Sequence, residues 1–432
     1  MNFFNYIKSM DFVYNPIKKV YDYYSFVSQD RKMKKMNQKS SHESVIRIIF
    51  ISQMPGLWEN LQPIYERLSF NSKFDVTVLA IPECNYDTYC FSDESLLSNK
   101  TYQYHLDLGT KVVNAYQQGW ISLIDLHPDY VFYERPYSHY LPELYRINNV
   151  INFSKTVYLP YGYENTSDLF STTLNTPFMK YLYLFFADST KRQNFILSKD
   201  CKSYSNHIRQ CFRIVHPIFL SMLSAKNKKS IFWNAHDLKF KVMYTPRWTI
   251  DKKMGGSSFF DYKKNIVDFC AESKDIEFVF RPHPLMFKNF MDIKLMTQDE
   301  VNRYLDFFHE NKNLHYDETN EYFSTFWNSD VLISDFSSIV IYYLITGKPV
   351  IYCSTREQKK VEFDAEVLDI LYVAYDWNDV QNYLFMLKSK KDPLKEKRLK
   401  FIHTQFNENM ILETPKIVEQ VFLEDYFNNA QK

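Results

Sequence analysis

Apolar positions along this chain fall into short continuous runs separated by longer stretches with helical spacing. Val45–Ser52 reads as a buried strand, Trp58–Ser69 as the helix after it, and Phe74–Ile81 as the next strand. Asp129–Tyr133 and Thr156–Leu159 extend the series, with a helix expected at Leu141–Val150 and helical segments from there on to about Ser224. The polar stretch Lys226–Ser230 reads as a linker. Beyond it the alternation restarts, with strands at Lys241–Tyr244, Glu277–Arg281, Val331–Ser334 and Pro349–Cys353. Helices are expected at Phe259–Glu272, Asn320–Asn328 and Ser337–Thr346. Strands that alternate with helices make parallel sheets covered on both faces. The pattern therefore predicts an α/β chain of two doubly wound, Rossmann-like domains facing across a cleft, over 44–227 and 228–414. A helical extension precedes them at 1–43, and a C-terminal helix at 415–432 is expected to cross back to the first domain.

The extension differs from the rest. Its aromatic residues, from Phe3 to Phe26, are followed by the basic run Arg31–Lys35, a combination that suits either an anionic membrane surface or packing on the body. The longest apolar runs, such as Tyr181–Ala187 and Ile339–Ile345, fall far short of the roughly 18–20 residues a membrane crossing needs. No leader peptide is visible, so any membrane contact is expected to be peripheral and the location cytoplasmic.

Composition narrows the chemistry. Lys plus Arg number 52 against 51 for Asp plus Glu, which demotes nucleic acid as a partner. With only 7 glycines, neither a Gly-rich dinucleotide loop nor a Walker loop can be assembled, and any nucleotide phosphates must be held by cations, hydroxyls and a helix N-terminus. The 6 cysteines are scattered, without a C-x-x-C pair, so neither disulfides nor zinc is expected. No acidic pair stands at ligand spacing, and the expected site needs no metal and no cofactor.

Three segments carry candidate chemistry, each at the predicted carboxyl end of a strand, where open α/β sheets bind ligands. In V-L-I-S-D-F-S-S, Asp335 turns the chain and Ser337 and Ser338 open a helix. The helix dipole suits phosphate, and the competing reading is that Asp335 or Ser337 merely caps the helix, the usual job of such residues. In F-V-F-R-P-H-P, Arg281 offers a guanidinium fork, and prolines on both sides stiffen His283 for proton transfer or phosphate contact. In V-M-Y-T-P-R-W-T, Arg247 stands after another strand and proline, and Trp248 is expected to pack. His-Pro also occurs at His127 and His216, of which the first reads as a loop residue.

In this order, the three segments resemble the CDP-glycerol glycerophosphotransferase family of teichoic-acid and capsule assembly. R-P-H-P at 281–284 is similar to its His-Pro motif, and S-D-F-S-S at 334–338 to its Asp-aromatic-Ser-Ser motif. Weaker likeness extends into the first domain through F-I-S-Q-M-P-G-L-W, V-F-Y-E-R-P-Y and Y-L-P-Y-G-Y. The resemblance implies a GT-B-like fold and transfer of glycerol phosphate, or another polyol phosphate, from a CDP-linked donor. The acceptor it implies is a polyol phosphate or glycan, lipid-linked at the inner membrane face as in family members, and CMP leaves. It implies that His283 is catalytic and that Arg247, Arg281, Asp335, Ser337 and Ser338 bind the donor. Wall-polymer members carry a Trp-His-Gly segment where this chain has Pro160-Tyr161-Gly162. A phenol, with an ordinary pKa of about 10, is a poor base, so the acceptor-side candidates are Tyr161, Gly162, Glu134 and Glu164, with His139 beside them. Two other readings compete: a GT-B glycosyltransferase using a CMP-sugar or NDP-sugar, and a degenerate member acting as an assembly partner.

Overall fold

The computed structural model describes residues 28, 31 and 44–428, apart from 87, 164, 165, 199, 200, 202–209, 234–238, 320 and 358. The predicted extension at 1–43 therefore lies almost entirely outside the described residues. The chain divides into two compact units: residues 1–161, 170–214 and 414–432 form the first, and 162–169 with 215–413 the second.

The first unit holds seven parallel strands: β1 (Ile46–Ser52), β2 (Phe74–Ala80), β3 (Val112–Asn114), β4 (Tyr130–Tyr133), β5 (Lys155–Tyr158), β6 (Leu184–Ala187) and β7 (Gln210–Arg213). Their order is β3-β2-β1-β4-β5-β6-β7. Alternate residues of β1 serve opposite faces. Ile46, Ile48 and Phe50 pack with Ile64 and Leu68 of the helix Gln62–Ser69. Ile49 and Ile51 pack with Val131, Tyr133 and Ile147 on the other face. Burial on both faces explains why the strands read as unbroken apolar runs.

The second unit repeats the plan with β8 (Phe240–Thr245), β9 (Ile276–Phe280), β10 (Leu314–Tyr316), β11 (Val331–Ser334), β12 (Val350–Cys353) and β13 (Tyr372–Ala374). Here the order is β10-β9-β8-β11-β12-β13, again all parallel. Each sheet thus reverses its strand order once, between β1 and β4 in the first unit and between β8 and β11 in the second. Such a switch point, at the carboxyl ends of the strands, is where doubly wound sheets bind ligands.

Several elements differ from expectation. The stretch from 160 to 224 contains the strands β6 and β7 besides its helices. Each spans four residues, too short for periodicity to separate strand from helix. Leu141–Val150 is broken into the short turns Glu143–Tyr145 and Ile147–Val150. The passage between units falls at Val215, ahead of the polar linker, because Ile218, Phe219 and Met222 bury themselves in the second unit's core. Residues 162–169 also join that unit: the N–H of Tyr163 donates to the Tyr342 hydroxyl at 3.1 Å and its ring meets Phe406 at 5.6 Å.

Candidate functional site

In the second unit, chain chemistry ends two neighbouring strands at one level. Pro246 follows β8, and Pro282 follows Arg281 beyond β9; neither has an N–H for the sheet ladder. The two extensions bond to each other instead, Arg281 N–H to Tyr244 O at 2.9 Å and His283 N–H to Pro246 O at 3.0 Å. Across the switch point, β8 and β11 are tied by Thr245 Oγ1 donating to Ser334 Oγ at 2.8 Å and by Ser334 Oγ donating to Thr245 O at 3.1 Å. Segments that lie 30 to 90 residues apart in sequence are thereby held side by side.

Asp335 is the knot of this arrangement. It is wholly buried, and its carboxylate accepts the N–H of Arg247 at 2.7 Å and that of Ser258 at 3.0 Å. Burial pushes its pKa up to about 6, with the Ser258 and Arg247 hydrogen bonds opposing the rise. This departs from the expectation of a donor-binding group: no part of Asp335 reaches the surface, so its task is to fix the two loops. Gly255 closes the same knot. Its φ is +70°, and a Cβ there would stand 2.4 Å from that of Phe336, so only glycine fits.

Arg247 and His283 share the space above. The Arg247 Nη1 donates to Met254 O at 3.0 Å and Phe336 O at 2.9 Å, while its Nε and Nη2 make no hydrogen bond among the described residues. His283 is half-buried, with Trp248 beside it at a ring separation of 6.0 Å. Burial, and then the Arg247 charge, push its pKa down to about 4, so the imidazole is neutral at pH 7. Its Nδ1 accepts the Leu285 N–H at 3.1 Å, which leaves Nε2 as the proton-bearing nitrogen of the neutral ring. Ser337 caps the helix Ser338–Leu344 by accepting the Ile339 N–H at 3.4 Å, and both serines are partly exposed.

Arg281 is placed otherwise than expected. Its Nη1 pairs with the buried Asp317 at 2.9 Å and donates to Thr319 O at 2.8 Å, and the guanidinium lies 4.2 Å from the Tyr322 ring centre. Its charge is compensated within the protein, so it clamps the loop after β10. Sequence reasoning missed Asp317, because nothing in the order of residues announces an ion pair between neighbouring strands' loops. It also missed a small recess beside the knot, lined by Lys252, Gly255, Ser258, Ser354 and Lys359 among others. There Lys252 pairs with Asp261, and Lys359 with Glu362. His216 is fully buried and its Nδ1 accepts the Ile218 N–H at 3.2 Å, a structural role.

The first unit has a matching knot. Glu134 directly follows β4, as Asp335 follows β11. It accepts Gln53 N–H at 2.9 Å, Met54 N–H at 3.0 Å and Ser52 Oγ–H at 3.1 Å, all from the loop after β1. Burial pushes its carboxyl up to about 7. A small recess opens here, lined by Gln53, Glu134, Arg135 and Tyr137 among others. Tyr161 is exposed, its hydroxyl 3.0 Å from that of Tyr137. Gly162 groups with the second unit, where a Cβ would stand 3.5 Å from the Tyr342 hydroxyl. Glu164 lies outside the described residues. His139 is exposed, and burial, Arg135 and Arg146 together hold its imidazole below the ordinary value.

Among the described residues, no group of three His, Cys, Asp or Glu is placed to hold a metal, and no helix is long and apolar enough to cross a membrane.

Residues 230–412 match the family model of CDP-glycerol:poly(glycerophosphate) glycerophosphotransferase. That stretch contains Arg247, Arg281, His283 and the 334–338 turn. No curated protein matches the sequence significantly. Among solved structures, the wall teichoic acid polymerase TagF is 11% identical over 98% of this chain and 100% of its own, with a TM-score of 0.55. A TagF variant soaked with CDPG gives 0.54 at 12% identity over 98% of this chain and 100% of that one. The UDP-GlcNAc 2-epimerase of Neisseria meningitidis, bound to UDP-GlcNAc, gives 0.55 at 14% identity over 88% and 100%. At these identities the structures establish a shared GT-B-like α/β fold. The match over residues 230–412 agrees with the resemblance read from the sequence.

Proposed function

We propose that the chain moves glycerol phosphate, or another polyol phosphate, from a CDP-linked donor to a hydroxyl of a cell-surface polymer or lipid-linked acceptor, releasing CMP. The observation that carries this is the strand-end cluster at the β8–β11 switch point, inside the stretch matching the family model. A neutral imidazole and an arginine with unspent donors stand together there on braced loops. In this reading Arg247 and the hydroxyls of Ser337 and Ser338 hold the diphosphate, and the guanidinium offsets charge gathering on the departing CMP. His283 donates its Nε2 proton, or a hydrogen bond, to that oxygen. Asp335 keeps the loops in place and does not touch substrate.

The acceptor hydroxyl must lose its proton as it attacks the distal phosphorus. Glu134 is poorly suited, since both its oxygens are engaged and it matches the bracing Asp335. His139, exposed and held below the ordinary imidazole range by burial, Arg135 and Arg146, is the better suited of the acceptor-side candidates. The aromatic and basic stretch of the first 43 residues fits peripheral attachment at the cytoplasmic membrane face. CDP-glycerol labelled on its distal phosphorus, incubated with the protein and envelope membranes, tests the reaction. The label should leave the nucleotide, join the acceptor and release unlabelled CMP. Label that stays in the nucleotide while a CMP-sugar is consumed would favour the glycosyltransferase instead.

A further inference from the structure

The second sheet ends at β10, and the hydrogen bonds to β9 fix which way its backbone faces. Phe278 N–H donates to Asn313 O and Asp317 N–H to Phe280 O, both at 2.9 Å. Asn313, His315 and Asp317 therefore turn toward β9, while Leu314 and Tyr316 turn outward. The Leu314 N–H is taken by Asn311 O at 3.0 Å. The Leu314 carbonyl and both backbone groups of Tyr316 have no partner among the described residues. Edge groups left in this way are a template for another strand.

A cavity of about 300 Å³ lies over this edge. Successive strand residues point to opposite faces, and the cavity is lined from both. On one side is His315, with the Phe232 ring 6.0 Å from it, and on the other Tyr316, with the His309 ring 6.4 Å from it. The cavity thus straddles the strand. Ile231, next to Phe232, is 81% exposed.

The charges at the two ends of the strand select its occupant. Lys312 precedes β10 and Glu318 follows it; both are exposed, and neither is in an ion pair among the described residues. A lone lysine beside an edge ordinarily keeps other strands away. A second copy of the same strand is different. Running antiparallel about a two-fold axis through His315, it sets Lys312 against Glu318 of the partner subunit and Leu314 against Tyr316 of the partner subunit. In that register each Tyr316 N–H meets Leu314 O of the partner subunit, so the groups that the fold leaves unspent bond to each other.

We propose that β10 is the interface of a two-fold dimer, in which the six-stranded sheets of two second units join into one. Such pairing is independent of the transferase reading, and its test reads mass instead of turnover. Sedimentation equilibrium of the full chain between about 1 and 100 µM should reach the mass of two chains. Lys312→Glu and Glu318→Lys each set like charges across the axis, and each should raise the dissociation constant at least about tenfold. Both changes in one chain, or an equal mixture of the two single variants, bring opposite charges together again and should restore the dimer. A chain that stays monomeric throughout, a dimer indifferent to both reversals, or a mixture that does not reassociate would overturn the proposal. Both side chains are exposed, so the variants should melt as wild type does. If either unfolds, hydrogen exchange of the wild type decides: the Tyr316 amide should slow as concentration rises, and unchanged exchange would count against the interface.

Discussion

His283 shows how two prolines and a neighbouring cation decide what a side chain can do. Pro282 and Pro284 deny the backbone helical geometry, and the His283 N–H is spent on Pro246 O. The ring is then held half-buried beside Arg247 in its neutral form. His283→Ala is expected to lower turnover at least about a hundredfold with melting unchanged; an unaffected rate would remove it from the site. Asp335 gives a stability prediction with a definite sign. Its pKa is raised by burial from 3.8 to about 6, so the folded protein keeps this proton to higher pH than the unfolded chain does. The cost of ionising it is absent below about pH 4 and fully present above about pH 6, and stability linked to this group falls as pH rises between them. Asp335→Asn loses one backbone acceptor but carries no such cost. Relative to wild type it should gain up to about 3 kcal/mol between pH 4 and 7 in denaturant titrations, and parallel curves would contradict this. The role of Asp335 was only half legible. Its place after a strand announced a turn, but a carboxylate that braces loops and one that meets a ligand read alike in sequence.

Elements were legible where they were long or bounded by clear punctuation. The helix Phe259–Glu272 and the strand Val331–Ser334 lie where the pattern put them. β3, β6, β7, β10 and β13 escaped, because strands of three or four residues are too brief to show a period. The C-terminal helix Glu408–Asn428 was foreseen, but not what holds it. Asp425 accepts from the hydroxyls of Tyr130 at 2.5 Å and Tyr183 at 2.6 Å, from Gln210 at 2.7 Å, and from Lys155 at 2.7 Å. One buried carboxylate thus fastens the helix across β4, β5 and β7 and the residue before β6, while Val418 and Phe422 fill the apolar face. Asp425→Ala strands a lysine and two phenols, and should destabilise the protein by about 3–5 kcal/mol in urea unfolding. A cost near that of a surface substitution would show that the helix depends on its apolar face alone.

At the scale of the whole molecule, the chain builds the same device twice. Each sheet reverses its strand order once, and at each reversal an acid following the fourth strand accepts backbone N–H groups from the loop after the first. Glu134 does this in one unit and Asp335 in the other. Alternating strands and helices revealed the two doubly wound units, while the matched bracing became visible only with the strands in order. The central claim is that His283 and Arg247, on loops fixed by Asp335, receive the donor's diphosphate. A crystal structure of the protein soaked with CDP-glycerol tests it most directly. The account predicts phosphate oxygens within about 3 Å of the His283 ring and the Arg247 guanidinium. A diphosphate seated instead in the Lys252–Lys359 recess, out of reach of both, would contradict it.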